Sequence, residues 1–175
     1  MNKLNLIEIL HAKMDILFVA LNPPVNSNKN GHYFSNNLSF WNLLFNSGLI
    51  IQPVQSKLTG DDEVFRTNSI NYKKAVYGIT DLVHDVVETN SNKIMVERSR
   101  VNRIIKLLDT HHVKTLSLMH SKVANAFQDT GVIKRLPNYG IVGKYKSTTI
   151  YEVPFHNASI GNKEQYYGLL KNALH

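Results

Sequence analysis

Residues 15–21, Asp-Ile-Leu-Phe-Val-Ala-Leu, run from Ile16 to Leu21 without a polar break. A strand facing water on one side alternates apolar with polar, so an unbroken run marks a strand covered on both faces. The chain must therefore supply cover for two sides of a sheet. "VKTLSLM" at 113–119 reads as a second core strand.

The intervening segments supply that cover. Leu4, Ile7, Leu10 and Met14 fall at helical spacing ahead of the first run, which predicts an N-terminal helix. "LSFWNLLFNSGLI" predicts a short amphipathic helix, with Ser39 as its N-cap and Gly48 as its stop. Residues 51–75 read as a loop or irregular helical segment, and Lys93 to Leu108 as a longer surface helix. "SKVANAFQDTG" predicts a helix closed by Gly131. "YGIVGKYKSTTIYEVPF" suggests a hairpin-like pair ending at Pro154, and "NKEQYYGLLKNAL" the closing helix. Helices alternating with strands in this order give the expected fold class: α/β, a three-layer α/β/α sandwich with a largely parallel central sheet. At 175 residues the chain is expected to form one domain, 1–175, since domains cluster at about 100–200 residues.

In such sheets ligands bind beyond the carboxyl ends of the strands, which directs attention to the loops 22–37 and 155–162. The first opens with Asn22, Pro23 and Pro24. An amide at a strand end offers both a donor and an acceptor to a water or substrate, and two prolines stiffen the loop beyond it while removing two backbone donors. "NGHYF" then provides Gly31 for close approach and Tyr33 or Phe34 as a planar surface, which suits a flat ligand. The same residues also read as a rigid turn with Phe34 filling the core. Partners are narrowed by charge. With 20 Lys and Arg against 13 Asp and Glu the formal charge is +7, which favours polyanions such as nucleic acid. The chain has no cysteine, so disulfides, iron–sulfur clusters and cysteine-bound zinc are excluded. No apolar run approaches the roughly 18 residues of a membrane span. The N-terminus lacks a secretory cleavage signal, and a soluble cytoplasmic protein without membrane attachment is expected.

The stretch "LFVALNPPVNSNKNGHYFSNNLSFWNLLFNSGL" resembles the first motif of the mismatch-specific uracil/thymine-DNA glycosylases, within the uracil-DNA glycosylase superfamily. "YGITDLV", "LSLMHSKVANAF" and "TTIYEVPFHNAS" resemble later segments of that family in order, so the resemblance covers nearly the whole chain. It implies a uracil-DNA glycosylase-like fold and a monofunctional DNA N-glycosylase that needs no cofactor or metal. Such an enzyme flips a damaged or mismatched base out of double-stranded DNA, acts as a monomer, and hydrolyses the base–sugar bond. By resemblance Asn22 is the catalytic residue that positions the attacking water. Leu21, Pro23, Ser27, Phe34, Asp81 and His156 form the base pocket, with Phe34 stacking on the base and His156 meeting a base oxygen. Asn157 and Ser159 contact the DNA backbone, and Ile160 is the wedge that fills the stack. Apart from the resemblance, Lys122 and Lys163 each fall near the start of a helix that follows a sheet loop, a place suited to DNA phosphates. The chain departs from the family where Ala20 and Pro24 replace two motif glycines, and its second motif reads Phe155-His156-Asn157-Ala158-Ser159.

Other polar clusters read as structural. Asp81 also fits a helix cap beside Thr80. His111 and His112 project in different directions and read as loop residues without metal, and Asp61-Asp62-Glu63 as a solvated turn. Arg98, Arg100, Arg103 and Lys106 make a basic helical face, most simply a solvated one. Two other functions compete with glycosylase: a relative that recognises DNA or a modified base in it without cutting, and hydrolysis of free nucleosides or nucleotides.

Overall fold

A computed structural model describes residues 3–135, 137–155 and 158–174. The first apolar run becomes strand β1 (Lys13–Ala20), followed by a short helix α1 (Val25–Asn30) and helix α2 (Ser39–Asn46). After an irregular stretch come β2 (Tyr77–Asp81), α3 (Ser99–Thr110) and β3 (His112–Leu118). The chain ends with α4 (Ser121–Asp129), β4 (Gly140–Tyr145), β5 (Thr148–Glu152) and α5 (Ile160–Lys171). The strands form one sheet in the order β2-β1-β3-β5-β4. β1 pairs in parallel with β2 and β3, β3 in parallel with β5, and only β4 runs antiparallel. This is an α/β fold with a five-stranded, mostly parallel sheet flanked by helices, as expected for a three-layer sandwich.

The two-residue period of β1 divides its side chains between two cores. Ile16 and Phe18 join Trp41 and Leu44 of α2, Tyr167 and Leu170 of α5, and Phe65 on one face. Leu17, Val19 and Leu21 join Val101 and Ile104 of α3 and Val123 and Phe127 of α4 on the other. Each large side chain taken fully out of water contributes about 1.5–3 kcal/mol, so β1, in contact with both layers, is the strand on which both cores rest. The loop after β1 leaves toward the first face and the loop after β3 toward the second. The chain therefore parts between these neighbouring strands, which is where an open α/β sheet forms its crevice.

Several sequence expectations need correction. The predicted N-terminal helix is absent. Residues 3–12 form no helix, and Ile9 exchanges two 3.0 Å backbone hydrogen bonds with Ile79 of β2. The edge of β2 gains partners that helix formation would have denied it. The Asn28 side chain holds the same segment, its Oδ1 accepting from Asn5 N at 2.8 Å and its Nδ2 donating to Lys3 O at 2.8 Å. The surface helix starts at Ser99 rather than Lys93, because Ile94 is buried, Met95 is 84% exposed, and the carbonyls of Ser91 and Ile94 are taken by the Lys122 ammonium. Ser39 is the first helical residue rather than the cap. Asn37 Oδ1 accepts from Ser39 N at 2.9 Å, and Gly48 at φ 78° ends the helix as expected. His112 opens β3 instead of lying in a loop.

Residues 51–75 do form an irregular helical segment, with a π-helical turn at Asp62–Arg66 and a 3₁₀ turn at Tyr72–Lys74. Among the described residues no helix is long and apolar enough to cross a membrane. Gly78 lets the N-terminal segment lie close against the sheet. A Cβ there would stand 2.4 Å from Met14 Sδ and 2.9 Å from the Ile9 carbonyl oxygen. The Gly78→Ala protein is therefore expected to lose about 1–3 kcal/mol of stability, read from its denaturant midpoint.

Candidate active site at the end of the first strand

β1 ends at Ala20, and its register places Ala20 beside Asp81 at the end of β2. The chain then turns through Asn22, which is 9% exposed. Its carboxamide nitrogen donates to three carbonyl oxygens, Pro23 at 3.2 Å, Val86 at 3.0 Å and Glu88 at 2.8 Å. Three acceptors around one nitrogen fix which end of the amide is which. Oδ1 accepts from no group among the described residues, which leaves its lone pairs to a ligand or water. A carboxamide held this way can accept a hydrogen bond from a water and cannot turn to donate one.

The Pro23-Pro24 pair shapes the start of α1. Pro24 stands at the N-cap of that helix with φ −71° and ψ 155°, and Val25 N is taken by Thr89 Oγ1 at 3.1 Å. The helix start has thus lost two amide donors to proline and spent the next on the protein. Pro23 O also accepts from Glu88 N at 3.1 Å.

The aromatic wall is set by buried polar groups. Tyr33 N donates to Asp61 Oδ2 at 3.0 Å, while Asp61 Oδ1 pairs with His32 Nδ1 at 2.9 Å and accepts from Asp62 N at 2.9 Å. Asp61 is 1% exposed, which corrects its reading as part of a solvated turn: it fastens the "GHYF" segment. Next to it Phe34 adopts φ 50°, a conformation rare for a residue of its bulk and costing on the order of 1 kcal/mol or more. Trp41 Nε1 donates to Phe34 O at 3.1 Å and secures the turn. The half-buried Phe34 ring stacks on Phe40, with centroids 3.8 Å apart and planes at 24°.

Asp81 continues the face that Tyr77 and Ile79 share with Tyr33, and is a strand residue rather than a helix cap. It is 3% exposed, and the Tyr33 hydroxyl donates to its Oδ2 at 3.4 Å. Burial pushes its carboxyl up to about 7, against the opposing pull of the Tyr33 hydrogen bond and the Arg103 guanidinium. The Tyr33 phenol is held far above its usual range, first by burial and then by Asp81. Behind the strand, Arg103 pairs with Glu8 at 2.9 Å and donates to Thr80 Oγ1 at 3.1 Å and to the Asp81 carbonyl. Arg103 is therefore a structural tie, not part of a solvated basic face. Arg100 pairs with Asp85, and Arg98 donates to the Asp129 carbonyl.

The remaining expected site residues divide. Leu21 is buried in the opposite core with α3 and α4, so its side chain lies away from Phe34. Ser27 is buried, and its hydroxyl accepts from Ser35 N at 3.4 Å within the loop. Lys122 does not stand free for a phosphate: its ammonium donates to Ser91 O at 2.6 Å and Ile94 O at 2.8 Å. The Ser159 hydroxyl caps α5, accepting from Asn162 N at 3.2 Å. Ile160 comes next, 65% exposed, and Lys163 lies half-buried in the first turn of α5. His156 and Asn157 lie outside the described residues. Phe155 packs edge-on against His120 at 4.1 Å, and both line a cavity of about 370 Å³ with Lys122, Tyr139 and Glu152.

The pairing of His32 with Asp61 escaped the sequence reading because 29 positions separate them. The Val86 and Glu88 carbonyls carry no side-chain signal at all. His32, Asp61 and Asp62 present donor atoms within 4.8 Å of one another, the set among the described residues closest to a metal-ligand group. Asp61 already serves the Tyr33 and Asp62 amides and Asp62 pairs with Arg66 at 2.8 Å, so the group acts as a fastening.

No family model and no curated protein matches this chain. The site's chemistry therefore rests on its own geometry. Because the folded Asp81 titrates near 7 rather than at 3.8, the folded state keeps a proton that the unfolded chain has released. Its contribution to stability is full below about pH 4 and declines as pH rises toward about 7, by up to roughly 4 kcal/mol. Asp81→Asn is expected to flatten that slope in thermal unfolding measured from pH 4 to 8 and to raise stability at the alkaline end.

Proposed function

We propose that the protein is a monofunctional DNA glycosylase. On this reading it flips uracil or a related damaged, mismatched or modified base out of duplex DNA and hydrolyses the base–sugar bond. It would act as a cytoplasmic monomer in base-excision repair. The observation that carries the reading is the Asn22 carboxamide, held through its nitrogen by three carbonyls just past the end of β1, in the same loop as Phe34. An acceptor that cannot take a proton orients a water without forming hydroxide. This suits a reaction in which the sugar has already gained oxocarbenium character and needs a placed nucleophile more than a strong one.

In that reaction the water oxygen bonds to C1′ and the glycosidic electron pair leaves with the base nitrogen. The water's surplus proton ends on the departing base. Phe34, with one face on Phe40, offers its ring to a flipped base, and stacking of that kind contributes about 1–3 kcal/mol toward unstacking it from the duplex. Ile160, exposed beside the start of α5, suits the wedge that fills the gap. The net charge of +7 suits a polyanionic partner. With Pro23 and Pro24 lacking amides and Val25 N engaged, base identity is read by side chains, of which Asp81 and Tyr33 are the buried polar pair on that face.

Duplexes carrying one uracil or other altered base, followed by alkaline cleavage at abasic sites, test the proposal. Wild-type protein is expected to yield abasic sites, and Asn22→Ala to be slower by about 100-fold while binding the duplex within a few-fold of wild type. Full activity in Asn22→Ala sinks the assignment, and tight binding without cleavage of any base replaces it with a non-cutting recognition module. Asn22→Asp would set a carboxylate against the Val86 and Glu88 carbonyls. It is expected to lower both activity and melting temperature rather than supply a stronger base.

A further inference from the structure

Residues 84–98 form a strap between β2 and α3 that is irregular apart from a 3₁₀ turn at Ser91–Lys93. Besides the Asp85–Arg100 pair and the Arg98 bond to the Asp129 carbonyl, the strap is tied to the loops after β1 and β3 at two separated points. Upstream, the Val86 and Glu88 carbonyls receive the Asn22 carboxamide, Glu88 N donates to Pro23 O, and Thr89 Oγ1 takes Val25 N. Downstream, the Lys122 ammonium at the start of α4 takes the Ser91 and Ile94 carbonyls. Between the two ties the chain is short and internally bonded: Asn90 N donates to Glu88 Oε1 at 2.8 Å and Asn92 N to Asn90 Oδ1 at 3.0 Å. The strap thus crosses from the loop after β1 to the loop after β3, over the place where the chain parts to opposite faces.

We propose that Lys122 is a positioning residue for the reaction at Asn22: its ammonium anchors the strap whose Val86 and Glu88 carbonyls fix the Asn22 carboxamide. The proposal rests on the reading of Asn22 as the residue that orients the water. Hydrogen bonds from an ammonium are stronger than neutral ones, so the downstream tie is the firmer of the two. Without it the strap that carries the Val86 and Glu88 carbonyls keeps its upstream bonds to Asn22, Pro23 and Val25 and the Asp85–Arg100 pair, and loses its charged anchor on the far side. The carboxamide can then rotate by half a turn and offer the water a donor in place of an acceptor.

A phosphate contact by Lys122 predicts different kinetics. Loss of a phosphate contact weakens DNA binding and lowers the salt slope by about one. Loss of positioning lowers the rate of the bound complex.

The test compares wild-type, Lys122→Met and Lys122→Arg proteins on a duplex with one excisable base, over a range of salt. It also tracks hydrogen exchange of the Asn22 side-chain NH₂ by NMR without DNA. Lys122→Met is expected to lose about tenfold in single-turnover rate, with KM and salt slope within about twofold of wild type. Its Asn22 NH₂ is expected to exchange about tenfold faster. Lys122→Arg, which retains donors for both carbonyls, is expected to recover most of the rate. A raised KM with a reduced salt slope and an unchanged single-turnover rate overturns the proposal, as does unchanged Asn22 exchange in Lys122→Met. Should Lys122→Met fail to fold, Lys122→Gln, which keeps a neutral donor, carries the same measurements with smaller expected changes. If wild-type protein excises no base, the reading of Asn22 falls. The exchange measurement then decides the anchoring alone, faster exchange supporting it and unchanged exchange overturning it.

Discussion

Everything in this molecule is hung on a strand whose centre, Ile16 to Val19, is closed off from water on both faces. β1 is apolar on both sides and pairs along both edges, so the chain must build a layer on each face before that strand is stable. Once both layers are in place, the end of β1 is the first point at which the backbone can emerge. A polar loop there inherits a rigid base. Asn22 stands two residues past the last strand residue, with little backbone freedom upstream and two prolines downstream.

The polar part of the site repeats one physical device. The side chains of the candidate site are held by backbone amides and carbonyls, or by carboxylates that in turn hold backbone. Asn22 is gripped by carbonyls of the strap, and the loop bearing Phe34 by the buried Asp61 carboxylate and the Trp41 indole. Asp81 is closed in by Tyr33 on one side and by the Arg103–Glu8 pair behind. Buried polar groups are tolerated only when partnered, so each of these fixes a neighbour as the condition of its own burial.

Much of this layering was legible in the sequence, and the reasons are local. β1, β3 and the helices α2 and α4 arise from apolar period and from glycines such as Gly48 and Gly131, both of which take positive φ. The N-terminal helix failed because Leu4, Ile7 and Leu10 carry helical spacing while Ile9 answers the open edge of β2, a partner some seventy residues away that no local pattern announces. The same limit explains the site. Asn22 and Phe34 stand out within one loop, whereas Asp61, Val86, Glu88 and the true engagement of Lys122 depend on contacts between distant segments. Two of those contributors act through carbonyl oxygens, which every residue possesses.

The paired prolines after Asn22 bear on how such a site can change over time. A recognition surface made of main-chain amides is fixed by the fold, since altering it means moving backbone that the core depends on. Here Pro23, Pro24 and the Thr89 hydroxyl have removed amides from that surface. On the proposed reading, what is left to discriminate one guest from another is a set of side chains such as Tyr33 and Asp81, each replaceable by a single substitution on an unchanged frame. The rigidity of the loop and the freedom of its chemistry to diverge come from the same two residues.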